Sequence, residues 1–270
     1  MIDTHAHIDG PEFSEDLEET IQRAKDAGIE KIFVPAICRK DLSHLIAICN
    51  AHPGFLYPMI GLHPENIMDE DYEVALDRME ERLEESLNPT PSPGTPTFIA
   101  VGEVGLDFYW DATYKEKQLD AFERQITWAI KYDLPLMIHA RNAHAELISI
   151  MKKYAAKNLT GVFHCFTGTE EEAHDLLSFP GFYLGIGGVA TFKKSTLPTT
   201  IKNAIPIERI VLETDTPYMA PTPYRGKRNE SAYVVEVGKK LAEIFDTTLE
   251  DIDAITTKNA LKIFTKVLKE

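Results

Sequence analysis

The chain has 270 residues, of which 44% are hydrophobic and 26% are charged, the balance of an ordinary globular protein. Its formal net charge of −15 excludes a broad basic surface and disfavours a large nucleic-acid footprint, while leaving chain ends and short strands open as substrates. There are three cysteines without a Cys-x-x-Cys pair, no leader-type N-terminus and no apolar run of about 18 residues. We therefore expect a soluble, cytoplasmic protein with reduced thiols and no membrane segment.

Short apolar runs alternate with longer amphipathic stretches along the whole chain. Eight strands are predicted, and several are apolar throughout, as is typical of parallel strands buried on both faces. They are Ile2–His7, Lys31–Pro35, Leu56–Leu62, Phe98–Val104, Pro135–His139, Gly161–His164, Phe182–Gly187 and Arg209–Glu213.

A helix is predicted after every strand, near residues 14–28, 41–52, 70–87, 115–132, 142–156, 169–178, 194–204 and 230–246, with a further helix near 248–268. Eight unbroken strand–helix units predict an α/β fold, the closed (β/α)8 TIM barrel, with residues 1–270 as a single domain. The proline-rich stretch 88–97 is predicted to be an exposed loop on the face away from the chemistry.

Side chains that bind metals stand at the ends of several predicted strands. His5 and His7 lie two residues apart on the first strand, so both imidazoles point to the same face. Further side chains of this kind end the fourth, fifth, sixth and eighth strands: Glu103, His139, His164 and Asp215. Each alone is more often a hydrogen-bonded rim residue or a helix cap. Together they predict a divalent-metal site, because the C-terminal ends of barrel strands converge on one pocket.

The same residues lie in motifs that resemble those of the TatD-type hydrolases, a family of amidohydrolase-like barrels. The resemblance covers nearly the whole chain, and it rests on seven segments. They are Asp3–His7 (DTHAH), Gly61–Pro64 (GLHP), Gly102–Asp107 (GEVGLD), His139–Arg141 (HAR), His164–Gly168 (HCFTG), Glu213–Tyr218 (ETDTPY) and Pro223–Glu230 (PYRGKRNE).

This resemblance implies a barrel of the metallo-dependent hydrolase type that acts as a metal-dependent nuclease, mostly on DNA from the 3′ end. It implies one ion bound by His5, His7, Glu103 and Asp215. A second ion would be bound by Glu103, His139 and His164, with Glu103 as the bridge.

The chemistry of the residues agrees with two divalent ions. Two ions held ~3.5–4 Å apart activate a water and clamp the attacking and leaving oxygens of a displacement. Imidazole ligands favour Zn, Mn, Co or Ni over Mg alone, although Mg could serve the more carboxylate-rich position. Asp215 could also orient or deprotonate the water.

Other residues indicate the substrate. Arg141 follows His139 by two residues, and its guanidinium suits a pair of phosphate oxygens, although an ion pair with a local carboxylate is equally expected. His63 ends the third strand and could donate to the same phosphate or be an extra ligand. A basic rim is expected from Lys193, Lys194 and the segment 225–228. Glu213 is expected to support a ligand, and Asp107 to shape a loop without a role in the chemistry.

The leading hypothesis is a 3′–5′ exodeoxyribonuclease that cleaves phosphodiester bonds through a metal-activated water. Its substrate would be DNA, as single strands or 3′ ends, and its catalytic residues would be Asp215, Glu103, His63 and Arg141. The alternative keeps the barrel and the metals but cleaves an amide, ester or lactone, because the fold does not determine the substrate. A third hypothesis is a binding protein without activity, which has no need of a complete ligand set.

Overall fold

The computed structural model describes residues 1–68, 71–88, 94–109 and 113–269. Strands and helices alternate along these ranges. The strands are β1 (Ile2–Asp3), β2 (Lys31–Pro35), β3 (Leu56–Met59), β4 (Val101–Asp107), β5 (Leu136–Arg141), β6 (Gly161–Phe163), β7 (Phe182–Ile186) and β8 (Ile210–Leu212). The α-helices are α1 (Leu17–Asp26), α2 (Leu42–Ala51), α3 (Tyr72–Ser86), α4 (Lys115–Tyr132), α5 (His144–Lys153), α6 (Glu170–Leu177), α7 (Leu197–Ala204), α8 (Val234–Phe245) and α9 (Leu249–Ile263).

Contacts between residues divide the chain into two compact units. The first unit comprises Met1–Val34 and His164–Ile263, and the second comprises Pro35–Phe163 and Phe264–Glu270. The expectation of one domain over residues 1–270 stays a prediction.

Parallel strand pairs form the core of each unit. In the first unit β1 pairs with β2 and β7 pairs with β8. A single parallel bridge joins Ala6 to Thr216, beyond the ends of β1 and β8. In the second unit β5 lies between β4 and β6. The bridge from Ile60 to Val101 brings the chain after β3 beside β4.

The helices form where the sequence supplies an apolar stripe and a cap. Helix α4 buries Phe122, Ile126 and Ala129 along one face, the spacing of successive turns. Helix α6 begins with a capping box in which Thr169 and Glu172 satisfy each other's backbone N–H groups. Among the described residues, no helix combines the length and the apolarity that crossing a membrane requires.

The predicted alternation of strands and helices is confirmed, and the differences are at the strand ends. Strand β1 ends at Asp3, and the following Thr4 N–H donates to the carbonyl of Leu212, the last residue of β8 (3.0 Å). Strands β4 and β5 instead continue to Asp107 and Arg141, beyond their predicted ends. In the proline-rich stretch 88–97, residues 89–93 lie outside the described ranges.

Candidate metal centre

In the first unit, three metal-binding side chains converge beyond the ends of β1 and β8. The Nε2 atoms of His5 and His7 are 3.1 Å apart. The Asp215 Oδ1 atom lies 3.8 Å from the His5 Nε2 and 3.7 Å from the His7 Nε2. His5 is fully buried, while His7 and Asp215 are partly exposed. We call these three residues the histidine-pair cluster.

Backbone hydrogen bonds hold this cluster together. The Asp215 N–H donates to the His5 carbonyl (2.9 Å), and the His7 N–H donates to the Thr216 carbonyl (2.9 Å). Asp215 has a φ of 54°, in the left-handed region that Asp adopts more readily than most residues. The two segments are therefore joined in a fixed register, which brings the three side chains together.

The Asp3 carboxylate stabilises the pairing of these two segments. It is fully buried and accepts hydrogen bonds from the Thr214 N–H (3.0 Å) and the Thr214 hydroxyl (2.7 Å). Burial raises the pKa of Asp3 to about 6, although hydrogen bonds from Thr214, Ser231 and the His5 backbone oppose the rise. Asp3 is thus a structural partner of the cluster that the sequence analysis missed. The signal was present, since residues 3, 5 and 7 alternate along one extended segment.

His164 and Glu213 lie beside the histidine-pair cluster. The His164 ring stacks on the His5 ring with centroids 4.0 Å apart and planes 7° apart. Glu213 Oε1 accepts a hydrogen bond from the Cys165 N–H and lies 3.9 Å from His164 Nδ1. A Cβ atom on Gly185 would lie 2.0 Å from the Glu213 carboxylate, so only glycine leaves room for it. Glu213 thus lies beside His164, and its expected role in supporting a metal ligand stays a prediction.

In the second unit, two histidines flank one glutamate. The Glu103 Oε1 atom lies 3.0 Å from His139 Nδ1 and 3.3 Å from His63 Nε2. The two imidazole rings meet edge to face with centroids 4.6 Å apart. Glu103 is buried and lies in β4. We call these three residues the glutamate cluster.

Asp107 orients His139 in this cluster. Its Oδ2 atom lies 2.9 Å from His139 Nε2, which leaves Nδ1 facing Glu103. Burial acts to lower the pKa of His139, but hydrogen bonds to Asp107 and Glu103 raise it to about 10. Burial acts to raise the pKa of Asp107, but the hydrogen bonds from His139 and the Tyr109 N–H lower it overall. A carboxylate on the far nitrogen is the usual partner of a metal-binding histidine.

Asp107 was expected only to shape the loop after β4, because β4 was predicted to end at Val104 and β5 at His139. The contact with His139 was not expected, and a role of Asp107 in the chemistry is a proposal. In the structure both strands continue, so Asp107 pairs in register with Arg141. Glu103, Gly105 and Asp107 alternate along β4, and this two-residue spacing was the available signal.

Two buried glutamines of α4 fix the backbone around the glutamate cluster. Gln118 bonds to both the N–H and the carbonyl of Asp107, each at 2.9 Å. Gln125 bonds in the same way to Leu62, the residue before His63, at 2.7 and 3.2 Å. These amides carry no metal-binding pattern, so the sequence analysis could not single them out.

His63 holds one tautomer. The Glu65 N–H donates to His63 Nδ1 at 3.2 Å, so that nitrogen is an acceptor and the proton lies on Nε2. Burial lowers the pKa of His63, although the Glu103 carboxylate opposes this, and the ring is neutral near pH 7. A neutral ring with its proton on Nε2 suits a hydrogen-bond donor better than an extra ligand.

Arg141 is exposed at the end of β5, where its guanidinium lies 3.6 Å from the centre of the Tyr109 ring. Its positive charge is one of the influences that lower the pKa of Asp107. The expected phosphate contact of Arg141 and the alternative ion pair with a local carboxylate both stay predictions. Tyr109 was not singled out in the sequence.

The histidine-pair cluster fits a divalent cation. Nitrogens bound to zinc at about 2.0–2.1 Å in a tetrahedron lie roughly 3.3 Å from one another. The three donor atoms of the cluster are separated by 3.1, 3.8 and 3.7 Å, which brackets that value. Two imidazole nitrogens and one carboxylate oxygen also suit zinc and its neighbours among the transition metals. In the glutamate cluster, the nearest donor atoms of Glu103, His139 and His63 lie within 4.8 Å of one another, and Glu103 and His139 are the candidate ligands there.

Comparison with known proteins identifies the class and then the family. The model of the TatD related DNase family matches residues 2–265. The uncharacterized metal-dependent hydrolase YabD of Bacillus subtilis is 36% identical over 264 residues, 98% of each chain. The 3′-5′ ssDNA/RNA exonuclease TatD of Erwinia tasmaniensis is 29% identical over 269 residues, 98% of this chain and 99% of that one. The crystal structure of YjjV, a TatD homologue of Escherichia coli, is 30% identical and covers 98% of both chains with a TM-score of 0.88.

The fold is thus the (β/α)8 TIM barrel that the sequence predicts, and the protein is a metal-dependent hydrolase. The chain belongs to the TatD family.

Proposed function

We propose that this hydrolase cleaves phosphodiester bonds and removes nucleotides from the 3′ end of single-stranded DNA. The observation that carries the proposal is the histidine-pair cluster, whose three donor atoms have the spacing of a metal-ligand set. The family of DNases and the exonuclease among the relatives support the choice of a phosphodiester.

The proposed ligands of the first ion are His5, His7 and Asp215, and Glu103 and His139 belong to the second. The bridging role of Glu103 and the part played by His164 stay predictions. The divalent ions, when bound, would activate a water and neutralise charge on the phosphate. Their identity among Zn, Mn, Mg, Co and Ni is left to experiment.

The protein's own side chains would then transfer protons and hold the phosphate. Asp215, half-buried at the edge of its cluster, would accept the proton of the attacking water. His63 Nδ1 accepts the Glu65 N–H, so the ring's proton lies on Nε2, which faces Glu103 at 3.3 Å. His63 would donate this proton to a phosphate oxygen once substrate is bound. The guanidinium of Arg141 would hold a second phosphate oxygen, where its planar fork matches the geometry.

In the alternative function, hydrolysis of an amide, ester or lactone, the same two clusters would bind the metals, but the role of Arg141 would differ. An amide, ester or lactone needs no guanidinium beside the bond that breaks. Replacing Arg141 should therefore slow a phosphodiesterase and spare a carbonyl hydrolase.

The test is hydrolysis of a 5′-labelled single-stranded oligonucleotide by metal-stripped protein supplied with zinc, manganese or magnesium. We expect a ladder of products that shorten from the 3′ end, only with metal, and no ladder from His5→Ala. The matched control is His44→Ala, which removes an exposed histidine of α2 outside both clusters. An RNA oligonucleotide and p-nitrophenyl acetate serve as competing substrates. Acetate hydrolysis without any oligonucleotide cleavage would contradict the proposal and favour the carbonyl alternative.

A further inference from the structure

Two loops of the first unit, following β7 and β8, form one continuous surface. The Thr222 N–H donates to the Thr191 hydroxyl at 2.8 Å, and the Thr222 hydroxyl donates to the Thr191 carbonyl at 3.2 Å. The Arg225 guanidinium covers the Phe192 ring at 3.7 Å. We call this surface the β7–β8 loop surface, and it also carries Lys193, Lys194, Tyr218 and Lys227.

Tyr218 presents an aromatic ring to solvent on this surface, with 58% of the residue exposed. It lies three residues after Asp215 and is tied to it by a hydrogen bond from the Tyr218 N–H to the Asp215 carbonyl (2.9 Å). The backbone of Tyr218 is therefore joined directly to that of Asp215, a residue of the histidine-pair cluster.

The backbone that carries Tyr218 is fixed. Asn229, which is fully buried, donates from its amide to the carbonyls of Thr214 (2.8 Å) and Tyr218 (2.6 Å). On the other side, a Cβ atom on Gly188 would come within 1.9 Å of the Met219 carbonyl, so the two loops touch there. An exposed aromatic ring on a fixed backbone is a ready stacking platform, because little ordering remains to be done on binding.

Four cations of the β7–β8 loop surface have no acidic partner within the described residues. Within the described residues, Arg225 bonds to the Ala220 carbonyl (2.9 Å) and covers Phe192, and no acidic partner is found for it or for Lys193, Lys194 and Lys227. Arg228 of the same segment differs, since Asp16 binds it through both oxygens at 2.7 Å. Four such cations make this surface locally basic in a chain whose formal net charge is −15.

We propose that the β7–β8 loop surface binds the single-stranded part of the substrate next to the bond that is cut. Tyr218 stacks against one base, and Lys193, Lys194 and Arg225 contact the neighbouring phosphates. Aromatic stacking combined with a cationic track is the general means of binding single strands without regard to sequence. In a duplex the bases are already stacked on each other, so this surface selects single strands and frayed ends. The inference rests on the proposed function and specifies its substrate.

The experiment measures binding and cleavage separately. Binding is measured by fluorescence anisotropy with a labelled, phosphorothioate-linked single-stranded oligonucleotide that resists cleavage. Tyr218→Ala should weaken binding on the order of tenfold, whereas Tyr218→Phe, which keeps the ring, should restore it. The double variant Lys193→Ala/Lys194→Ala should lower the slope of log affinity against log salt by about 1.4, since each phosphate contact of a single strand contributes about 0.7.

A charge-matched control is Lys152→Ala/Lys157→Ala, which removes two exposed lysines elsewhere and should leave the slope unchanged. Equal affinities of the native protein and Tyr218→Ala would overturn the inference even if the native protein cleaves DNA. If Tyr218→Ala lost affinity equally for single-stranded and duplex DNA, the inference would also be overturned. Binding through Tyr218 without cleavage under any metal would support the surface and contradict the nuclease.

Discussion

His139 links the two carboxylates of the second unit through its two ring nitrogens. Nε2 faces Asp107 at 2.9 Å and Nδ1 faces Glu103 at 3.0 Å. If His139 binds an ion, Nδ1 is the available nitrogen, and Asp107 fixes the ring and increases its basicity. Asp107 is thus a positioning residue that acts through His139.

We expect Asp107→Asn to weaken binding of the metal at the glutamate cluster by roughly 10- to 100-fold, the usual effect of losing such a partner. The amide oxygen can still accept the Tyr109 N–H, which bonds to Asp107 Oδ1 at 2.9 Å, so the fold should survive. Competition with a chromogenic chelator measures the affinity. Asp133→Asn is the matched control, because Asp133 caps α4 at a φ of 50° that Asn tolerates. Equal affinities in the native protein and Asp107→Asn would refute the positioning role.

His63 is expected to act as a donor rather than a ligand. His63→Ala should therefore lower kcat by about 10²- to 10³-fold, the typical cost of removing one donor to a developing oxyanion, and leave the metal content unchanged. Elemental analysis of the purified variant, together with its rate on the labelled oligonucleotide, separates the two roles. Loss of one ion per chain would show instead that His63 is a ligand.

At the scale of elements, an ion-pair network joins the segment after β8 to α1. Asp16, at the start of α1, accepts two hydrogen bonds from Arg228 at 2.7 Å and one from Arg23 at 3.0 Å. Arg23 also donates to Glu230 at 2.8 Å. This network anchors the base of the loop that carries Arg225. Of the expected basic rim, Arg228 is thus ion-paired with Asp16, and the other cations of the rim stay candidates for substrate binding.

We expect Asp16→Asn to lower the free energy of unfolding by about 1 kcal/mol at pH 7, a small value because the pair is partly exposed. The hydrogen bonds from Arg228 hold the pKa of Asp16 well below its usual value of 3.8. A lowered folded-state pKa gives stability that is present above pH 3.8 and is lost as the pH falls through the folded-state value. The difference in Tm between native and variant protein should thus shrink as the pH is lowered below about 4. A difference that stays constant down to pH 2 would contradict this account.

Elements with a local signal were predicted well from the sequence. Helix α4 occupies Lys115–Tyr132, the predicted range, because its apolar stripe and the left-handed residue after it are both local features. The ends of β1, β4 and β5 were wrong, because they depend on which distant segments supply hydrogen bonds. The same limit applies to the site. Residue types at strand ends indicate which side chains can bind a metal. Residues that hydrogen-bond to distant segments, such as Asp3 and Asn229, are recognised only once it is known which segments they join.

At the scale of the whole molecule, the barrel explains how residues far apart in sequence could be predicted as one constellation. The C-terminal ends of barrel strands converge, so the candidate metal-binding side chains were expected to meet whatever their separation along the chain. The net charge of −15 is compatible with an anionic substrate only if cations act locally. Bound metal ions and the β7–β8 loop surface are the proposed sources of that local charge.

Anomalous diffraction from crystals of the native protein grown with zinc or manganese would locate the bound ions. We expect one peak within about 2.0–2.3 Å of the donor atoms of His5, His7 and Asp215, and a second beside Glu103 and His139. Peaks absent from both clusters, or found only elsewhere on the protein, would contradict the assignment of these residues as the metal centre.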